Sequence, residues 1–82
     1  MNTSDTIRDF INEEILHGTL TIPLNDQDPL IESGIIDSMG VMTLLAFLED
    51  KFSIQIPGDE LIPENFATIS TITILVDRHT AQ

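Results

Sequence analysis

The chain has 82 residues, which predicts one domain, 1–82, with a small core, since a chain this short buries only about 60–65% of its unfolded surface. Its hydrophobic content of 41% suits a globule rather than a disordered acidic tail, and three basic residues against fourteen acidic ones give −11, which argues against nucleic acid and anionic membrane as partners. No cysteine is present, so disulfides, thiolate metal sites and a catalytic thiol are excluded, and any thiol the protein uses arrives from outside.

"MNTSDTIRDF" lacks the basic region and apolar run of a signal peptide, so the expected location is cytoplasmic. Thr3 or Ser4 is placed to cap a first helix. Ile7, Phe10, Ile11 and Ile15 follow at helical spacing, and Gly18 is a natural stop. The periodicity then dissolves between Thr19 and Asp37. Pro23, Asn25, Asp26, Pro29 and Gly34 mark a long loop, with Leu24, Leu30 and Ile36 available to pin it to a core. A loop this long in so small a domain is often functional.

A second helix begins at Ser38. Val41, Leu44, Leu45, Leu48 and Phe52 fall at i, i+3, i+4, i+7 and i+11, one continuous core stripe. Pro57-Gly58 then marks a turn, and Pro63 is able to open a short helical turn. "TISTITILVDRH" has the β-branched composition of a strand. A strand here has no partner except "SIQI", whereas Ile69, Ile72 and Val76 match a helix that Thr68 caps and Arg78 ends. A helix is therefore expected. The predicted fold is all-α: a small four-helix bundle of three main helices and one short one, with a long first loop.

The second helix carries a further apolar stripe, Met39, Met42 and Ala46, well off the core stripe. Two arrangements account for it. A crowded bundle wraps both sides of the helix, or the stripe is a docking surface, for which methionine is suited because it repacks readily. Ser38 likewise has a plain role as an N-cap and a chemical one. A helix N-terminus offers free N–H groups and a positive dipole end, which suits a phosphate, and a serine hydroxyl there is placed to carry a phosphodiester. Asp37 beside it is placed to help hold a divalent metal during attachment.

"GIIDSMG", opening an apolar-periodic helix that ends "FLEDKF" in an acidic chain without cysteine, resembles the acyl and peptidyl carrier protein family over nearly the whole length. In that family the serine of a D-S-L or D-S-M motif carries 4′-phosphopantetheine from coenzyme A. The resemblance places that role on Ser38, with Asp37 before it, and matches the family's L-E-x-x-F ending with Leu48, Glu49 and Phe52. It implies a thioester borne on the cofactor's own thiol. Ser38 Oγ would attack the β-phosphate of coenzyme A on a phosphopantetheinyl transferase that supplies magnesium and the base. The chain would then be a substrate and a monomeric carrier rather than an enzyme. Its other partners would be an adenylating ligase or acyltransferase and downstream biosynthetic enzymes.

Fatty-acid carriers usually have acidic residues in the first turn after the serine, where this chain has Gly40 and Thr43. The closer likeness is to discrete aminoacyl and D-alanyl carriers, whose motif often reads G-I-L-D-S-M-G, so an amino acid or specialised acyl cargo is expected. The docking surface implied is Met39, Gly40, Met42, Thr43 and Ala46. The competing class is a non-covalent acidic adaptor that docks through the same methionines and carries nothing; it has no need of the serine in "DSMG". His17 and His79 stand alone in sequence, and Asp26, Asp28 and Glu32 fail a calcium-loop pattern because Leu30 and Ile31 fill ligand and glycine positions, so no metal site is expected. Asp59, Glu60 and Glu64 read as a solvated face, in a region that often helps recognise partners in this family.

Overall fold

Asn2, rather than Thr3 or Ser4, caps the first helix. Its side-chain oxygen accepts from the Asp5 amide at 2.9 Å, and Ser4 Oγ spends its proton on that same oxygen at 2.8 Å. The computed structural model describes residues 2–17 and 24–80. Helix α1 spans Thr3–Phe10 and continues as a π-helical turn, Ile11–Ile15, closed by the Leu16 amide donating to Ile11 O at 2.9 Å. The left-handed residue that follows is His17, with φ 53°; Gly18, the expected stop, lies outside the described residues, as do Thr19 and Pro23.

The loop before the second helix is held by both apolar and polar contacts. Leu24, Leu30 and Ile36 are buried as expected. Leu30 N–H donates to Ala67 O at 2.8 Å, and Ser70 N–H donates to Asp26 O at 3.0 Å, so the loop is sewn to the start of the last helix. Arg8 ties the loop to α1. Its Nε donates to Leu24 O at 2.9 Å, and its guanidinium pairs with Asp5 at 2.6 Å and with Asp26. Burial alone would lower the Arg8 pKa; the hydrogen bonds and charges of the two aspartates outweigh it and raise it, so the clasp stays charged. Gly34 takes φ 79°, a conformation that a Cβ would strain.

Helix α2 spans Ser38–Phe52 and α3 spans Ile69–Thr80. Between them lie two 3-10 turns, Gly58–Glu60 and Pro63–Phe66, the second opened by its proline as the sequence predicts. Of "SIQI", Ser53 is the left-handed residue that ends α2 and Ile54–Ile56 take no regular structure, and no strand occurs among the described residues. The β-branched last segment is a helix because burial outweighs propensity. Ile69, Ile72, Leu75 and Val76 are all fully buried, at about 1.5–3 kcal/mol each, against a propensity cost of about 0.5 kcal/mol per residue. Thr68 caps it reciprocally: Thr68 Oγ1 accepts from Thr71 N–H, and Thr71 Oγ1 accepts from Thr68 N–H, both at 3.1 Å.

One core joins these elements: Ile7 and Ile11 from α1 and its extension, Leu44, Leu45 and Leu48 from α2, the four buried residues of α3, and Ile56 and Phe66 from the connection. Val41 and Phe52 are half-buried at its edge, completing the expected stripe. Phe10 and Phe47 stack with centroids 4.0 Å apart, joining α1 to the flank of α2. The Leu48-Glu49-x-x-Phe52 ending acquires a reason here. Leu48 is core, and Glu49 Oε2 accepts from Ile56 N–H at 3.0 Å, which turns the chain back after α2.

Candidate functional site

Asp37 is the N-cap of α2, with extended backbone, and its Oδ1 accepts from Gly40 N–H at 2.8 Å. Ser38 is therefore the first helical residue and not the cap. Its side chain is exposed, and no described residue hydrogen-bonds its hydroxyl. The division of labour follows from geometry. Asp37 satisfies one free amide of the first turn and places a carboxylate at the dipole-positive end, while the serine hydroxyl stays unengaged. The backbone bond from Val41 N–H to Asp37 O, at 2.9 Å, starts the helix and leaves the Ser38 and Met39 amides outside it.

Gly40 is glycine for a local reason. A Cβ there would stand 3.2 Å from Ile36 Cβ and 3.5 Å from Asp37 Oδ1. Ile36 is 2% exposed and cannot retreat easily, so the missing Cβ allows the loop to pass closely over the first turn. Gly40 is half-buried and sits between the two faces of α2 rather than on the outer one.

The outer face is open. Met39 is 78% exposed and Met42 58%, and Thr43 and Ala46 are exposed beside them. The described elements do not wrap this side of α2, so a core role for the second stripe is ruled out. Beside the face, a cleft of about 310 Å³ is lined by Ser38 and Asp37, by Val41 and Met42, and by a wall of Leu61, Ile62 and Phe66. Ile62, 40% exposed, adds to the same apolar surface. That wall was not legible in the sequence. The only hint was a Leu-Ile pair before a proline in an otherwise acidic connection, and only the fold brings it opposite α2.

Of the acidic trio in that connection, Asp59 and Glu64 are exposed, but Glu60 is not free: its Oε1 lies 2.8 Å from His79 Nε2. His79, solitary in sequence, thus has a partner, while His17 is exposed at the end of the α1 extension. Among the described residues no group of three or more histidine or acidic side chains is placed to hold a metal ion, and no helix is long and apolar enough to cross a membrane.

A family model described as "Phosphopantetheine attachment site" matches residues 5–76. The chain is 38% identical over 55 residues to the "Probable acyl carrier protein PigG" of Serratia sp., covering 67% of this chain and 63% of that one. It is 36% identical over 66 residues to a "D-alanyl carrier protein" of Leuconostoc citreum, covering 78% of this chain and 85% of that one. A D-alanyl carrier protein of Streptococcus suis is 32% identical over 72 residues, 88% of this chain and 87% of its own. The chain thus spans just under two thirds of the first relative and most of the other two. Among solved structures, a chain described as "Crystal structure of FAD-dependent dehydrogenase" superposes with a TM-score of 0.77 at 34% identity, covering 85% of this chain and 97% of that one.

The residues present fit the prosthetic group that this family carries: an exposed serine hydroxyl on a helix N-terminus with unspent amides suits a phosphodiester, and an apolar cleft lies beside it. From its matched length and its relatives, this chain belongs to the phosphopantetheine-attachment family of carrier proteins, which bear their cargo as a thioester on covalently attached 4′-phosphopantetheine.

Proposed function

We propose that Ser38 is the attachment residue, within one carrier domain that is itself not an enzyme and works in the cytoplasm as a monomer. The observation that carries this reading is the contrast between neighbours. Asp37 is committed to capping α2, while the Ser38 hydroxyl at the helix start is exposed and unengaged. When bound, 4′-phosphopantetheine supplies a thiol on a long arm. The chain's own part is to present the Ser38 oxygen to a phosphopantetheinyl transferase, with the Asp37 carboxylate beside it available to a divalent cation held by that enzyme. The non-covalent adaptor is not favoured, since the whole matched length is that of an attachment domain.

Met39, Met42, Thr43 and Ala46, with Gly40 setting the first turn, form the surface that partners read. No acidic residue stands in the first turn of α2, so a loading enzyme meets an apolar strip rather than a row of carboxylates. That strip and the D-alanyl carrier relatives support an amino acid cargo, loaded by an adenylating ligase and passed to downstream biosynthetic enzymes. A second reading follows from the solved chain described by an FAD-dependent dehydrogenase: the tethered group would be oxidised by a flavin enzyme before release.

Intact mass before and after incubation with coenzyme A and a phosphopantetheinyl transferase tests the assignment. A single addition that vanishes in Ser38→Ala is expected. Addition to the alanine variant, or to another residue such as Ser33, would overturn it.

A further inference from the structure

From Pro57 to Asn65, between the buried anchors Ile56 and Phe66, no side chain is buried. Yet this segment carries Leu61, Ile62 and Pro63, which face Ser38 and Met42 across the cleft. A segment with so few apolar anchors opens locally at low cost unless polar contacts hold it. Its turn bonds are local: Leu61 N–H donates to Gly58 O at 3.1 Å, and Asn65 N–H to Ile62 O at 3.0 Å. Glu60 is the exception. Its carbonyl accepts from Asn65 Nδ2 at 2.8 Å, which braces the segment internally, and its carboxylate meets His79 in the last turn of α3 at 2.8 Å. A carboxylate is acceptor-only, so His79 Nε2 carries the proton and donates. The pair is largely shielded, with 15% of the His79 side chain and 26% of the Glu60 side chain exposed. The hydrogen bond therefore competes less with water than a surface contact would.

We propose that the Glu60–His79 pair positions the Leu61–Ile62 wall of the cleft, and so sets half of the surface that partners meet around Ser38. His79 is a positioning residue: it acts through Glu60 and does not itself line the cleft. This rests on the Ser38 reading, because it assigns a role in recognition at that same site.

The test uses the whole chain with coenzyme A and a phosphopantetheinyl transferase, comparing wild type, His79→Ala and His79→Gln. His79→Ala should raise the KM for the carrier about threefold or more with kcat unchanged, because the nucleophile and its helix are intact. His79→Gln, which keeps an N–H donor, should recover most of that loss. Amide hydrogen exchange at Leu61 and Asn65 should quicken about tenfold in the alanine variant, equivalent to about 1.4 kcal/mol, with Leu48 in α2 unchanged. An unchanged KM, or unchanged exchange at Leu61 and Asn65, would overturn the proposal. So would loss of kcat and KM together in both variants, which marks a merely structural histidine. If the wild type itself is not modified, the Ser38 reading fails, and the exchange measurement still decides whether His79 holds the wall.

Discussion

Asp37 Oδ1 accepts the Gly40 amide at 2.8 Å, so the residue before the serine, and not the serine, starts helix α2. The cap and the exposed hydroxyl lie on adjacent side chains.

The two residues should therefore fail differently. Ser38→Ala is expected to leave stability within about 0.5 kcal/mol of wild type while abolishing cofactor addition. Asp37→Ala should cost about 0.5–2 kcal/mol, the usual value of a lost cap. Urea denaturation of both variants measures this; a large loss in Ser38→Ala would return the cap to the serine.

The outer face of α2 predicts a second separation. Met42 is 58% exposed, so Met42→Glu should change stability by no more than about 0.5 kcal/mol. A partner that buries the methionine gains about 1.5–3 kcal/mol of apolar transfer, and the glutamate forfeits it and adds an unpaired charge. Loading by an enzyme that reads this face should fall at least tenfold, which needs only about 1.4 kcal/mol. Thioester formation rates decide the matter, and wild-type loading of Met42→Glu would show that the strip is not read. Thr43→Glu, on an exposed neighbour, should shift preference toward enzymes with basic docking sites.

Gly40 is the wrong place to make that shift. Alanine is normally the better helix residue by about 0.5–1 kcal/mol. Here its Cβ would press Ile36 Cβ at 3.2 Å, and overpacking costs about 1–3 kcal/mol. Gly40→Ala is expected to lower the melting temperature; a rise would show that Ile36 yields freely.

Ser53, which ends α2, holds φ 54° and ψ 47°, the left-handed conformation that glycine adopts without penalty. Ser53→Gly should stabilise the fold by about 0.5–1 kcal/mol after the entropy of the added glycine is counted. The same denaturation series checks it, and a destabilised variant would refute the strain.

Helical periodicity carried most of the fold in the primary structure. The core stripe from Val41 to Phe52, the pinning of the loop by Leu24, Leu30 and Ile36, and the turn at Pro63 follow from local spacing and backbone chemistry, which neighbours in sequence decide among themselves. The serine proposed for attachment stands in a short motif on a helix start, which is equally a local object. The caps were misplaced by one or two residues, on Ser38 instead of Asp37 and on Thr3 or Ser4 instead of Asn2, because adjacent Asn, Asp, Ser and Thr are near-equal acceptors and only the realised backbone chooses among them. Three matters belonged to tertiary structure alone. Whether the Met39–Met42 stripe was core or surface depended on what packs beside α2, and no described element covers it. The far wall of the Ser38 cleft, Leu61 and Ile62, comes from a segment more than twenty residues away that has no periodicity of its own. Glu60 and His79 meet only because α3 folds back along the connection, an encounter between distant residues that local spacing does not encode.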